Sequence, residues 1–143
     1  MKFRYQRWMI KTSIVYLIVG TLLGLCMFLG YRFPAFAWAL RFRTTHVHLL
    51  LVGFVIQMIM AVALWMFPRR KTPPYWTPDP EGLALYILLN LGTIARSVGE
   101  GWAREAAWAY WGAAIGMSLQ IVSIGYFVFL IFPRIRRPGG QRS

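Results

Sequence analysis

Four long apolar runs constrain the fold of this chain more than any other feature. They cover residues 13–31, 49–67, 82–98 and 106–132. A membrane-spanning helix needs about 20 consecutive apolar residues, and three of the runs meet this length directly. The third run is weaker, because it contains Asn90 and Arg96. We therefore predict an all-α protein, an integral membrane four-helix bundle in one domain over residues 1–143.

Prolines and basic residues mark the limits of the predicted helices, which cover about 13–31, 45–67, 82–99 and 106–132. The second helix is expected to end at Pro68, because a basic and proline-rich segment follows it. This segment forms a basic loop at 68–81. Pro133 ends the fourth helix and begins a basic tail at 133–143.

Composition narrows the class of protein further. Hydrophobic residues make up 58% of the chain and charged residues 14%, against a charged share of about 25% in soluble domains. This balance excludes an ordinary soluble enzyme and a disordered chain. The net charge of +12 alone would suit a nucleic-acid partner. Because the basic residues lie at the edges of the apolar runs, we expect the lipid bilayer as partner and no nucleic acid.

The distribution of basic residues predicts the orientation. With four spans, one side of the membrane carries Lys2, Arg4, Arg7, Lys11, Arg69, Arg70, Lys71, Arg134, Arg136, Arg137 and Arg142. The other side carries Arg32, Arg41, Arg43, Arg96 and Arg104. The positive-inside rule therefore predicts a multi-pass protein of the cytoplasmic (inner) membrane with both termini in the cytoplasm.

The N-terminal segment has one alternative interpretation. Basic residues, an apolar run and the small-residue segment 35–37 also occur in a secretory signal peptide. The apolar run has 19 residues, whereas the apolar region of a signal peptide has about 7–15. We therefore expect it to remain as the first helix.

Two histidines, His46 and His48, lie at the start of the second predicted helix. On a helix they point about 200° apart, so they are not expected to bind one iron together. His46 shares its face with Gly53 and Gln57, and small and polar residues in membrane helices face the bundle interior. The face of His48 continues through Val52 and further apolar residues, which is typical of contact with lipid or a partner subunit.

His46 is accordingly the better candidate for a cofactor ligand. Neutral imidazole is a common haem ligand, and a bundle of apolar helices suits a haem. Arginines at the same depth would pair with the propionates, and Met27 could be a sixth ligand. The alternative, water-facing rings at the membrane interface, stays open. The candidate cofactor-binding residues are His46, Arg96, Arg43, Arg41 and Gly53, and the candidate metal ligands are His46, His48 and Met27.

Other polar and small residues predict helix packing. Gln57, Asn90 and Gln120 lie near the middle of their helices and are expected to form hydrogen bonds between helices. Arg96 and Glu100 are four residues apart and are expected to pair. Glycines at spacings that permit close helix contact are Gly20, Gly24, Gly30, Gly112 and Gly116.

The segment Arg43–Arg69, with His46, His48 and Gly53, resembles the second helix of heme–copper oxidase subunit I and its nitric oxide reductase relatives. Residues 16–24 look like their first helix, and the whole chain is similar to short four-helix subunit-I-like membrane proteins. The resemblance implies that His46 ligates a low-spin haem b near the outer face, with its propionates on arginines. Those short proteins carry a polar residue after the two histidines, whereas this chain has Leu49.

The histidine count limits the activity that the resemblance implies. A complete oxidase of this family needs about six histidines, and the chain has two. It lacks the histidines for a complete oxygen- or NO-reducing site of this family, so whether it is an enzyme stays open. A second haem ligand would come from Met27, from Met117, from a second protomer in a homo-oligomer or from a partner protein.

We therefore expect a small membrane protein that binds haem b through His46 and serves electron transfer or the binding of NO or O2. The alternative is a haem-free accessory or assembly subunit of a respiratory complex. A third hypothesis is copper handling, because Cys26 and Met27 are soft ligands that copper(I) accepts. The single cysteine excludes an internal disulfide.

Overall fold

The computed structural model describes residues 4–67 and 80–135. These residues form α1 (Arg4–Gly30), α2 (Pro34–Met66), α3 (Pro80–Glu100) and α4 (Ala107–Ile131), with a 3-10 turn at Phe132–Arg134. All four helices are long and apolar enough to cross a membrane, and the described ranges contain no strand. For these residues, the predictions of an all-α fold and of four helices of spanning length are confirmed. Most of the predicted basic loop and basic tail lies outside the described residues.

Two helices begin earlier than the apolar runs indicated. α1 begins at Arg4 and α2 at Pro34, instead of near residues 13 and 45. An apolar run marks only the part of a helix that lies in hydrocarbon, and the helix itself continues until a residue breaks it. Proline suits the first position of a helix because its fixed φ matches helical geometry.

α2 changes its helical geometry along its length. It consists of a 3-10 segment Pro34–Phe42, an α segment Arg43–His48, a π segment Leu49–Ile56 and an α segment Gln57–Met66. π segments are rare and occur often near functional sites. The π segment of α2 begins directly after His48.

The helices are held together by a core at the Arg4 end and enclosed by an apolar surface. The buried cluster is formed by Met9, Val52, Met60, Ala61, Leu64, Leu85, Leu89 and Leu130. Large apolar side chains remain exposed along every helix, for example Ile18, Ile59, Ile94 and Ile121. A chain that exposes apolar side chains along its whole length suits a lipid environment, where they face acyl chains.

Glycines bring neighbouring helices into close contact. A Cβ atom at Gly92 would lie 2.8 Å from the backbone oxygen of Gly116, so α3 and α4 meet backbone to backbone. A Cβ atom at Gly20 would lie 2.7 Å from the Leu50 side chain, where α1 meets α2. The prediction of a close helix contact is wrong for Gly112, because no atom of another residue lies within 4 Å of its Cβ position.

Polar side chains in the middle of the spans connect the helices. Gln57 Nε2 donates to the backbone oxygen of Met9 at 3.0 Å, which joins α2 to α1. The Tyr16 hydroxyl donates to Asn90 Oδ1 at 2.9 Å, which joins α1 to α3. Gln120 Nε2 donates to Thr93 Oγ1 at 3.2 Å, which joins α4 to α3. The predicted interhelical hydrogen bonds of Gln57, Asn90 and Gln120 are confirmed.

Candidate functional site

His46 lies where α2 crosses two glycines of α1. Its Nδ1 atom is 2.8 Å from the backbone oxygen of Gly20. A Cβ atom at Gly24 would lie 2.6 Å from His46 Cε1, so the ring occupies the space that a side chain at position 24 would take. The imidazole is half-buried. The prediction that His46 faces the bundle, on the same side as Gly53 and Gln57, is confirmed, because all three contact α1.

The partner of Nδ1 determines the tautomer of His46. A backbone carbonyl accepts hydrogen bonds but cannot donate them, so Nδ1 carries the proton. In a neutral imidazole the second nitrogen, Nε2, then has a free lone pair. Histidines that ligate metals commonly donate their other N–H to a carbonyl in this way, which fixes the orientation of the ring.

His48 points to a different helix. Its Nδ1 atom is 3.1 Å from Glu100 Oε1 on α3, and its side chain is only 18% exposed. The expectation that the His48 face contacts lipid or a partner subunit is therefore wrong for His48 itself, and Val52 on that face is also buried. The physical reason is that α3 packs against this side of α2 and supplies a carboxylate that the sequence of α2 does not reveal. The expected divergence of the two rings is confirmed.

Glu100 is the centre of a polar cluster that joins three helices. Arg96 Nε donates to Glu100 Oε1 at 2.7 Å, which confirms the predicted pair. Arg96 also donates to Gln120 Oε1 on α4 at 3.0 Å. Thr45 Oγ1 donates to the backbone oxygen of Ser97 at 3.3 Å and lies 3.5 Å from Glu100 Oε2. Arg96 and His48 thus share one carboxylate at one end of the bundle.

The other predicted arginines differ in what they contact. Arg41 forms an ion pair with Glu105 and lies over the Trp102 ring, 5.6 Å from its centroid. Arg43 is exposed, and within residues 4–67 and 80–135 it has no ion pair. Of the three arginines expected near propionates, two are therefore engaged by carboxylates, and Arg43 is the one that remains available.

The remaining predicted residues lie on either side of His46. Met27 is buried on α1, one helical turn beyond Gly24. Gly53 packs on Tyr16, because a Cβ atom there would lie 2.8 Å from Tyr16 Cγ. Cys26 is half-buried and not oxidised to a disulfide. The described ranges hold no group of three or more His, Cys, Asp or Glu side chains that could bind a metal ion.

Two contacts at the site could not be predicted from the residues themselves. The backbone oxygen of Gly20 orients His46, and a backbone atom leaves no signal in a sequence. Helical spacing predicts the pair of Glu100 with Arg96, but the contact of Glu100 with His48 joins residues 52 positions apart in the sequence. The one available signal was that Glu100 is among only four acidic residues in a basic chain.

A haem is the cofactor that the sequence resemblance implies, and His46 fits the part of its axial ligand. The Nδ1 hydrogen bond fixes the ring and leaves Nε2 for the iron. Arg43 fits a propionate better than Arg96 or Arg41, because both of these already pair with carboxylates. Comparison with known proteins adds nothing to this assignment: the chain matches no protein-family model, no curated protein and no solved structure.

Proposed function

We propose that this chain is a small membrane haem protein in which His46 Nε2 would hold the iron of a haem b. The observation that supports the proposal is the 2.8 Å hydrogen bond between His46 Nδ1 and the Gly20 backbone oxygen. It fixes the ring and the tautomer in which Nε2 carries no proton, and ligation through Nε2 requires that tautomer. The same bond would make the imidazole a stronger electron donor to a metal.

A bound haem b would supply one-electron transfer or coordination of NO or O2. The residues of this chain would hold it: His46 through Nε2, and Arg43 through a hydrogen bond to a propionate. Met27, on the same face of α1 as Gly24, or a second protomer would supply a second ligand. With two histidines, the chain would serve as an electron-transfer or gas-binding protein and not as a complete oxidase.

The proposal extends to the location of the protein. The positive-inside rule favours a cytoplasmic (inner) membrane location with both ends of the chain in the cytoplasm. In that orientation the His46 end of the bundle is near the outer face. A haem there would exchange electrons with a partner on that side or with another subunit in the membrane.

Optical spectroscopy tests the proposal. The protein would be purified in mild detergent from haem-replete cells, and oxidised and dithionite-reduced spectra recorded for wild type, His46→Ala and His48→Ala. We expect a Soret band and split visible bands in wild type and His48→Ala, and their loss in His46→Ala. Added imidazole should restore the spectrum of His46→Ala, which separates loss of a ligand from loss of the fold.

Two outcomes would contradict the proposal. A colourless wild-type protein with intact helical circular dichroism would exclude haem binding. A spectrum that survives His46→Ala and is lost in His48→Ala would show that His48, and not His46, is the ligand. A high-spin spectrum that shifts with NO would keep the proposal and favour gas binding over electron transfer.

One observation favours the second candidate function, a haem-free accessory subunit of a respiratory complex. His48 and Arg96 already contact Glu100, and Arg96 donates to Gln120, so these side chains pair with one another without a cofactor. Such a subunit would show no haem of its own and would migrate with larger haem-containing subunits at fixed stoichiometry on a native gel. The colourless outcome described above would lead to this measurement.

A further inference from the structure

The first two turns of α1 carry a basic face. Arg4, Arg7 and Lys11 are all exposed. At spacings of three and four residues, their side chains lie within about 60° of one another around the helix axis. They extend over about 10 Å along that axis, at a rise of about 1.5 Å per residue. The first turn of α1 contains no acidic residue.

No carboxylate of the described chain neutralises this face. The acidic residues in the described ranges are Glu81, Glu100 and Glu105. Glu81, at the same end of the bundle, pairs with Arg134 at 2.8 Å. Glu100 and Glu105 lie at the opposite end, where they pair with Arg96 and Arg41. The positive end of the α1 dipole adds to the charge of the basic face.

The same face becomes apolar beyond Lys11. Ile14, Ile18 and Leu25 continue its line along α1, and they are 44%, 54% and 53% exposed. The helix from Lys11 to Gly30 is about 30 Å long, which matches the hydrocarbon thickness of a bilayer. The basic face therefore lies at the level of the lipid headgroups. Trp8, with Arg4 5.1 Å from its ring centroid, has the position of an interfacial aromatic residue.

We propose that this face binds an anionic phospholipid. Arg4, Arg7 and Lys11 hold the phosphate headgroup, and an acyl chain lies along Ile14 and Ile18. A lipid matches both halves of the face, because it joins an anion to a long apolar chain in the same order along the helix. An acidic protein segment would match the basic half alone. The inference does not depend on haem binding.

Native mass spectrometry of the full chain in detergent tests this proposal with phosphatidylglycerol and phosphatidylcholine as probes. The test variant is Arg4→Gln, Arg7→Gln, Lys11→Gln. The control is Arg32→Gln, Arg104→Gln, which removes two exposed arginines from the other end and leaves the proposed haem-binding residues unchanged. Each cation near an anionic headgroup contributes about fivefold in affinity, so we expect the test variant to lose about a hundredfold in phosphatidylglycerol affinity. The control variant should bind as wild type does.

Equal losses in both variants, or no preference of wild type for phosphatidylglycerol over phosphatidylcholine, would overturn the proposal. If the triple variant does not fold, Lys11→Gln alone should weaken phosphatidylglycerol binding about fivefold, and an unchanged affinity would overturn it. The charge-conserving variant Arg4→Lys, Arg7→Lys, Lys11→Arg should keep the affinity. Retention there and loss in the glutamine variant would identify charge, and not side-chain shape, as the cause.

Discussion

His46 owes its position to residues on another helix. Gly24 has no side chain, so the imidazole lies directly against the backbone of α1, and the Gly20 backbone oxygen accepts a hydrogen bond from His46 Nδ1. A histidine at a membrane interface would otherwise be free to rotate toward water. Two glycines and one carbonyl thus determine which nitrogen of His46 is available to a ligand.

Substitution of Gly24 by alanine should lower the free energy of unfolding much more than the same substitution at Gly112. A Cβ atom at position 24 would lie 2.6 Å from His46 Cε1, so Gly24→Ala must displace the ring. We expect a loss of about 1–3 kcal/mol in the free energy of unfolding, as for other overpacked sites. Reversible denaturation in detergent, followed by circular dichroism, measures this difference.

Gly112→Ala is the matched control, because no atom lies within 4 Å of its Cβ position. Alanine stabilises a helix by roughly 0.5–1 kcal/mol relative to glycine, so this variant should be unchanged or more stable. Equal stability of the two variants would show that the His46 ring is not confined by Gly24.

α2 and α3 meet at the carboxylate of Glu100, and α4 is joined to them through Arg96. His48 of α2 and Arg96 of α3 both contact this carboxylate, and Arg96 reaches Gln120 of α4. The side chain of Glu100 is only 11% exposed and that of Arg96 18%. In such a setting a charged group needs its partner, because water does not replace a lost counter-charge.

Removal of the charge at Glu100 should therefore destabilise the helix bundle. Glu100→Gln leaves the Arg96 guanidinium largely buried without a carboxylate, and we expect a loss of about 1.5–3 kcal/mol in the free energy of unfolding. Glu105→Gln removes the partner of Arg41, but the Glu105 side chain is 58% exposed. An exposed pair contributes about 0–1 kcal/mol. A Glu100→Gln protein as stable as Glu105→Gln would contradict the structural role of the cluster.

Four helices that all cross the membrane would place both ends of the chain on one side, and the charge distribution predicts which side. The exposed surface is apolar along every helix, so the bundle itself does not distinguish one orientation from its inverse. The excess of lysine and arginine on the loop and terminal segments provides that distinction.

Cysteine labelling in intact cells tests the orientation. In a Cys26→Ser background, a membrane-impermeant maleimide should label Arg104→Cys and leave Arg70→Cys unlabelled until the cells are lysed. Position 104 is exposed at the His46 end of the bundle. Labelling of position 70 in intact cells, with protection of position 104, would mean that the orientation is inverted.

Much of the helix packing could be predicted from particular residues. A polar group in hydrocarbon must find a partner within the protein. This requirement predicts the hydrogen bonds between helices that are formed by Gln57, Asn90 and Gln120. The Arg96–Glu100 pair followed from helical spacing. The early start of α2 at Pro34 and its π segment at Leu49–Ile56 were not predicted. A π segment differs from an α-helix in the carbonyl that each backbone N–H bonds to. The spacing of apolar residues indicates which face is buried, but it does not indicate that bonding pattern.

Four apolar segments of spanning length predict four helices before any packing is known, because backbone polar groups in lipid must bond within their own segment. Helical geometry likewise predicts that His46 and His48 diverge, because it sets the angle between residues two apart. What each histidine contacts depends on helix packing: a carbonyl of α1 for His46 and the carboxylate of Glu100 for His48. Those contacts join residues 26 and 52 positions apart, and they form only when the helices pack side by side.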